Sequence, residues 1–126
     1  MVPSGLERLI CAQTGYGEVE KYLDALRKGA SYYLDPLPLQ RLRQGIYVTV
    51  TSDQRVLSTI PKVFSSQKYL LSPYSALAYA GLQDYRVRTG ESRTALILAE
   101  KSPVCDPQTM SSALGISEET LKQYLK

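Results

Sequence analysis

Apolar residues recur at helical spacing along much of the chain, and the clearest such stretch covers residues 73–89. Ser72 is a good N-cap, Pro73 suits the first helical position, and Gly90 can end the helix in the left-handed conformation. The pattern therefore predicts a capped helix with one apolar face. That face is formed by Tyr74, Leu77, Ala78, Gly81, Leu82 and Tyr85.

Caps and breakers predict six shorter helical segments elsewhere in the chain. Pro61 is expected to kink or end its helix, because proline lacks the N–H that a helix interior uses. In the long helix, Ala76, Ala80 and Gly81 are small and allow another segment to approach. The shorter helices run from Ser4 to Gly15, up to Gly29, from Asp35 to Gly45, from Ser52 or Asp53 to Pro61, from Asp106 to Gly115, and from Ser117 onward.

Two stretches have the composition of β-strands. Residues 94–99 form a continuous apolar run without alternation, which is typical of a strand buried on both faces of a parallel sheet. Residues 46–50 are β-branched and aromatic, and they predict a second strand. The sequence therefore predicts an α/β fold class, a predominantly helical fragment with one or two strands.

Two strands cannot complete a parallel sheet, because a buried strand needs neighbours on both sides. We therefore interpret residues 1–126 as a single domain that is the C-terminal fragment of a larger enzyme. The expected partners are the missing N-terminal part of that enzyme and, through the exposed strand, a second copy of this chain.

Composition narrows the functional classes. The chain contains no histidine, which removes the most common general base and metal ligand, and we expect no metal site. Cys11 and Cys105 are far apart and favour reduced thiols in a cytoplasmic protein. No apolar run approaches the length of about 18 residues that a membrane span needs. The net charge of +3 comes from dispersed lysines and arginines, which is typical of a solvated surface.

Three stretches, in this order along the chain, resemble segments of threonine synthase, a pyridoxal-phosphate enzyme of fold type II. Pro3–Leu9 is similar to the family's Ser-Asn-Leu-Glu-Arg segment, with Gly5 in place of asparagine. Leu71–Tyr79 is similar to its Asp-Pro-His-Thr-Ala-Val segment, and Leu98–Cys105 to its Thr-Ala-His-Pro-Ala-Lys segment. The resemblance implies the C-terminal portion of an enzyme that converts O-phosphohomoserine to threonine and phosphate.

The same resemblance implies ligand-binding residues. Glu100 would face the pyridine nitrogen of pyridoxal phosphate, at the carboxyl end of a strand, where α/β sheets bind ligands. Ser72 and Ser75 would contact the substrate from a helix N-terminus. The alternatives are a solvated surface glutamate and plain helix capping by the serines. No residue is assigned a catalytic role, because the family's cofactor-binding lysine lies upstream, and we expect the isolated chain to be inactive and free of cofactor.

A helix-turn-helix pattern over residues 109–125 supports a different class of function. In DNA-binding proteins of this kind, the start of the second helix meets the bases and phosphates. Here that helix begins with Glu118 and Glu119, which repel phosphates, so nucleic-acid binding is not expected. A protein-interaction domain is the remaining alternative, because a strand that needs partners also suits it.

Overall fold

The computed structural model describes residues 5–99 and 101–124. Within these ranges the chain forms seven α-helices, one short 3-10 helix and no β-strand. The α-helices are α1 (Leu6–Thr14), α2 (Tyr16–Arg27), α3 (Pro36–Gly45), α4 (Asp53–Gln67), α5 (Pro73–Thr89), α6 (Pro107–Leu114) and α7 (Glu118–Tyr124), and the 3-10 helix is Pro103–Cys105.

Contacts between Cα atoms divide the chain into two compact units, one up to Tyr47 and the other from Val48 onward. The first unit contains α1, α2 and α3, and α1 packs against both of its neighbours. Ile10 of α1 and Tyr22 of α2 are its buried apolar residues. The single domain expected from the length of the chain stays a prediction.

Side-chain caps begin several helices where the sequence predicted them. Ser52 Oγ accepts the N–H of Arg55 at 3.3 Å, and Asp106 Oδ1 accepts the N–H of Thr109 at 3.1 Å. These contacts satisfy N–H groups that have no partner inside the helix. Ser4, the predicted cap of the first helix, lies outside the described residues.

The core of the second unit forms where α4 packs against α5 and α6. Helix α4 continues through Pro61 to Gln67, so the proline does not end it. Proline in a helix interior costs about 3 kcal/mol. Burial of Ile60 and Val63 beside it offsets that cost, at about 1.5–3 kcal/mol each. The buried core consists of Val56, Ile60, Val63, Leu71, Ala76, Met110 and Leu121.

Helix α5 has the predicted bounds and the predicted caps, but it buries a different face. Ala76 and Ala80 are buried, whereas Tyr74 and Leu77 of the expected apolar face are 43% and 45% exposed. Apolar residues occur on several sides of this helix, so its pattern did not select one side. The small residues lie on the side that contacts the core, because they let α4 approach closely.

The predicted α/β fold class is wrong, because neither predicted strand forms and the described chain is all-helical. Residues 46–50 and 94–99 are irregular. Leu96 and Leu98 are 87% and 81% exposed, so the apolar run is not buried by α5 or by another strand. A strand is stable only when neighbours complete its hydrogen-bond ladder, and the described residues provide no such neighbour.

Candidate functional site

The predicted cofactor contact of Glu100 lies outside the described residues. Its placement relied on a strand over residues 94–99, and that strand does not form. The next residue, Lys101, has its Nζ 4.7 Å from the centroid of the Tyr74 ring, a distance at which a cation and an aromatic face attract. This contact joins the chain after residue 100 to the start of α5.

The two predicted substrate contacts, Ser72 and Ser75, are both 2% exposed. Ser72 Oγ accepts the N–H of Ser75 at 3.2 Å, and the two hydroxyl oxygens are 3.0 Å apart. Both side chains therefore take part in the cap of α5. Their contact with a substrate stays a prediction, and it would require this turn to open.

The predicted contacts that the structure describes, Ser72 and Ser75, do not present free groups to pyridoxal phosphate or to a substrate. The hydroxyls of Ser72 and Ser75 are closed to solvent and bonded to each other. Lys101 is exposed to solvent, and its ammonium group lies over the Tyr74 ring. No chemical step through the cofactor follows from these residues. Within the same ranges, no group of three or more cysteine, aspartate or glutamate side chains is placed to hold a metal ion.

The predicted helix-turn-helix is formed by α6 and α7. Gly115 has a φ of 67°, and Ser117 Oγ accepts the N–H of Thr120 at 3.2 Å. Met110 of α6 and Leu121 of α7 are buried in the core of the second unit, and α4 packs against α6. The exposed start of α7 carries Glu118 and Glu119, so the surface that DNA would meet is acidic.

A polar cleft of about 270 Å³, which was not predicted from the sequence, lies between α4 and α5. Ser58 and Thr59 donate their hydroxyl hydrogens to the carbonyl of Arg55, and Ser66 donates to that of Lys62. The hydroxyls therefore have only acceptor lone pairs left for a ligand. The sequence contained a pattern that could have predicted this cleft, because the polar residues of α4 that line it recur at helical spacing. The cleft is lined by Arg55, Ser58, Thr59, Lys62, Val63, Ser66, Tyr79, Ala80 and Gln83.

A second polar cluster, which was also not predicted from the sequence, lies in the first unit. Tyr32 donates its hydroxyl hydrogen to Glu18 at 2.7 Å, and Lys21 pairs with the same carboxylate at 2.5 Å. The hydrogen bond from Lys21, and then that from Tyr32, lowers the pKa of Glu18. Burial and then Glu18 raise the pKa of Tyr32 to about 12. The rings of Tyr22 and Tyr32 meet edge to face, 5.5 Å apart, so this cluster ties the chain after α2 back onto that helix.

The most unusual surface of the second unit is residues 94–99, called the 94–99 segment from here on. Leu96 and Leu98 are exposed there, and no backbone–backbone hydrogen bond joins the segment to any other described residue. Soluble domains rarely leave an apolar run and its backbone groups uncovered together. The 94–99 segment therefore exposes apolar side chains and main-chain groups together.

No family model and no solved structure matches this chain. The resemblance to threonine synthase therefore rests on the sequence motifs, and the activity that it implies stays a prediction. None of the helices in residues 5–99 and 101–124 has both the length and the apolar character needed to cross a bilayer.

Proposed function

We propose that this chain is a protein-interaction domain that binds an extended polypeptide along its 94–99 segment. The observation that supports this proposal is that Leu96 and Leu98 are exposed on a segment whose main chain forms no backbone–backbone hydrogen bond with the rest of the described chain. A polypeptide that adds alongside such a segment gains main-chain hydrogen bonds, while alternate side chains determine which sequences fit.

Two interactions favour binding of a polypeptide to the 94–99 segment: burial of its leucines and hydrogen bonds to its main chain. Each leucine that is covered contributes about 1.5–3 kcal/mol, and each backbone hydrogen bond about 0.5–1.5 kcal/mol. Part of this gain is offset by the entropy lost on association. A strand that pairs with the segment gains both contributions, because it covers Leu96 and Leu98 and bonds to the main chain between them.

The direct test uses the full chain and two fluorescein-labelled probe peptides, which copy residues 91–101 and residues 44–52. We expect at least one peptide to raise its fluorescence anisotropy on titration with the chain. A version of the binding peptide N-methylated on four consecutive residues keeps the side chains but loses the backbone donors. It should bind at least about tenfold more weakly, because each lost hydrogen bond costs about 0.5–1.5 kcal/mol.

Matched variants locate the binding surface. Leu98→Lys in the chain should abolish peptide binding, and Val87→Lys should not, although Val87 is exposed to a similar extent, at 85%. The proposal fails if neither peptide binds, if N-methylation changes nothing, or if both lysine variants weaken binding equally.

We also propose, as a second candidate, that the chain is the C-terminal portion of a threonine-synthase-like enzyme whose partner is the missing cofactor-bearing part. One contact favours it: Lys101 lies over Tyr74, so two of the three similar stretches are neighbours in space. In this case the 94–99 segment would receive a strand of the missing part. Such a chain should be inactive alone and regain activity when the upstream part is supplied as a separate polypeptide. Activity of the isolated chain, or none on mixing, would contradict it.

A further inference from the structure

We infer that the 94–99 segment pairs, antiparallel and about a twofold axis, with the same segment of a second copy of this chain. This inference rests on the proposed function and adds the identity of the partner and the register of pairing. A twofold contact uses the same surface on both copies, so one complementary segment is sufficient to close a dimer.

Symmetry restricts how two identical strands can pair. Successive side chains point to opposite faces of a sheet, and a twofold axis normal to the sheet leaves each face unchanged. Residues opposite each other must therefore point to the same face in both copies. It follows that the axis passes between a residue and its own counterpart, so each allowed register is centred on one residue.

Charge selects among these registers. In the register centred on Leu96, Glu91 of each copy lies opposite Lys101 of the other copy. Leu96 of one copy lies opposite Leu96 of the other. Centred on Ile97, the pairing places Arg93 opposite Lys101, and like charges directly opposite one another destabilise a sheet. The register centred on Leu96 therefore has two opposite-charge pairs, whereas the register centred on Ile97 has two pairs of like charge.

The other registers that keep the apolar run paired are also less favourable. Centred on Ala95, the pairing places Arg93 opposite Ile97, and centred on Leu98 it places Glu100 opposite Leu96. Each of these leaves a charged side chain against an apolar one. In the register centred on Leu96, by contrast, Leu96, Ile97 and Leu98 all face apolar or hydroxyl-bearing residues, and the apolar residue that faces a charge is the small Ala99, opposite Arg93.

Burial in the isolated chain agrees with this arrangement. Ile97 is half-buried, whereas Leu96 and Leu98 on either side of it are exposed. The second unit therefore covers part of Ile97, whereas Leu96 and Leu98 remain accessible to a second copy. Glu91 Oε1 lies 3.3 Å from Arg93 Nε, so this carboxylate is held at the end of the segment where the second copy's lysine arrives.

Cysteine cross-linking tests the register directly. Leu96→Cys, Ile97→Cys and Val87→Cys are each placed in the full chain with Cys11→Ser and Cys105→Ser, and the rate of covalent dimer formation on oxidation is measured. Opposite residues of a strand pair have Cα atoms about 4.5–5.5 Å apart, within reach of a disulfide, whereas diagonal residues are about 7–8 Å apart. Leu96→Cys should therefore cross-link at least about tenfold faster than both other variants, because its two thiols are held together.

Sedimentation velocity provides the second measurement. The unmodified chain should form dimers in a concentration-dependent way, Leu96→Lys should be monomeric, and Val87→Lys should dimerise like the unmodified chain. A monomer at all concentrations, open-ended assemblies, or fastest cross-linking at Ile97→Cys or Val87→Cys would overturn the inference. If the 44–52 peptide nevertheless binds in the backbone-dependent manner described above, the proposed function stands and only the partner is wrong.

Discussion

Arg55 of α4 and Asp84 of α5 form an ion pair in which Nη2 and Oδ1 are 2.7 Å apart. The same guanidinium donates to the carbonyl oxygen of Ala80 at 3.5 Å, one turn earlier in α5. One side chain thereby joins α4 to two successive turns of the neighbouring helix. Because the pair is only partly exposed, it is less screened by solvent than the other helix-surface pairs.

Breaking this ion pair should destabilise the second unit modestly. In a double-mutant cycle with Arg55→Gln and Asp84→Asn, we expect a coupling energy of about 0.5–1 kcal/mol, which decreases in high salt. Urea unfolding gives the four free energies. Lys28 and Asp24, a more exposed pair on α2, are the matched control and should couple more weakly. A coupling energy of zero would mean that the 2.7 Å contact does not contribute to stability in solution.

Gly81 should not tolerate a side chain. A Cβ at this position would lie 2.7 Å from Oγ1 of Thr49, so Gly81→Ala should lower the free energy of unfolding by about 1–3 kcal/mol. Gly17 in α2 has no atom within 4 Å of the same position, and Gly17→Ala should stabilise by about 0.5–1 kcal/mol. Thermal unfolding distinguishes the two.

Removing the hydroxyl of Thr49 tests the cause of that effect. Thr49→Ala combined with Gly81→Ala should recover most of the lost stability, because the remaining Thr49 atoms lie at about van der Waals distance. If the double variant is as unstable as Gly81→Ala alone, the close approach at Thr49 is not the reason for the glycine.

The stability of the first unit should depend on pH through Tyr32. Its pKa is about 12 in the folded chain, because of burial and then the hydrogen bond to Glu18, and about 10 in an unfolded chain. The resulting stabilisation is complete below pH 10 and is lost as the pH rises through 12. Urea unfolding between pH 8 and 12 should show this decrease, and Tyr32→Phe should flatten it.

The neighbouring Tyr33 is the control for this experiment. It is 85% exposed, so Tyr33→Phe should leave the free energy of unfolding close to that of the unmodified chain across the pH range. An equal effect of Tyr32→Phe and Tyr33→Phe would show that the cluster around Glu18 does not set the pH dependence.

The prediction about pyridoxal phosphate can be checked on the purified chain. It should bind weakly or not at all and show no imine absorbance, because the family's cofactor-binding lysine lies in another segment. Borohydride reduction followed by mass spectrometry of peptides gives a quantitative measure, with Lys101→Arg as the control for modification at the exposed lysine. Stoichiometric cofactor on one lysine would make this chain an active-site domain in its own right.

Local chemistry was sufficient to predict much of the helical structure. The caps at Ser52 and Ser72 and the left-handed glycine at Gly90 are observed as predicted, because each depends on hydrogen bonds or dihedral angles within one turn. The small residues of α5 also indicated a close approach, which Gly81 makes to Thr49.

What depends on distant partners was not predictable from the sequence. The 94–99 segment has high β propensity, but a strand requires a neighbour, and no described part of the chain supplies one. The same limit applies to the buried face of α5, which is determined by α4. The hydroxyls of Ser72 and Ser75 bond to each other, a contact that depends on side-chain rotamers and cannot be read from the order of residues.

In a monomer, where no second copy covers it, the irregular 94–99 segment is also a site of proteolysis. Proteases cut exposed chain that lacks secondary structure, and a chymotrypsin-like enzyme would cleave after Leu96 or Leu98. The cut would separate α5 from α6 along the chain, yet Met110 and Leu121 would remain in the core formed with Ile60. A nicked molecule should therefore stay together as two non-covalent pieces, which separate only when the core is unfolded.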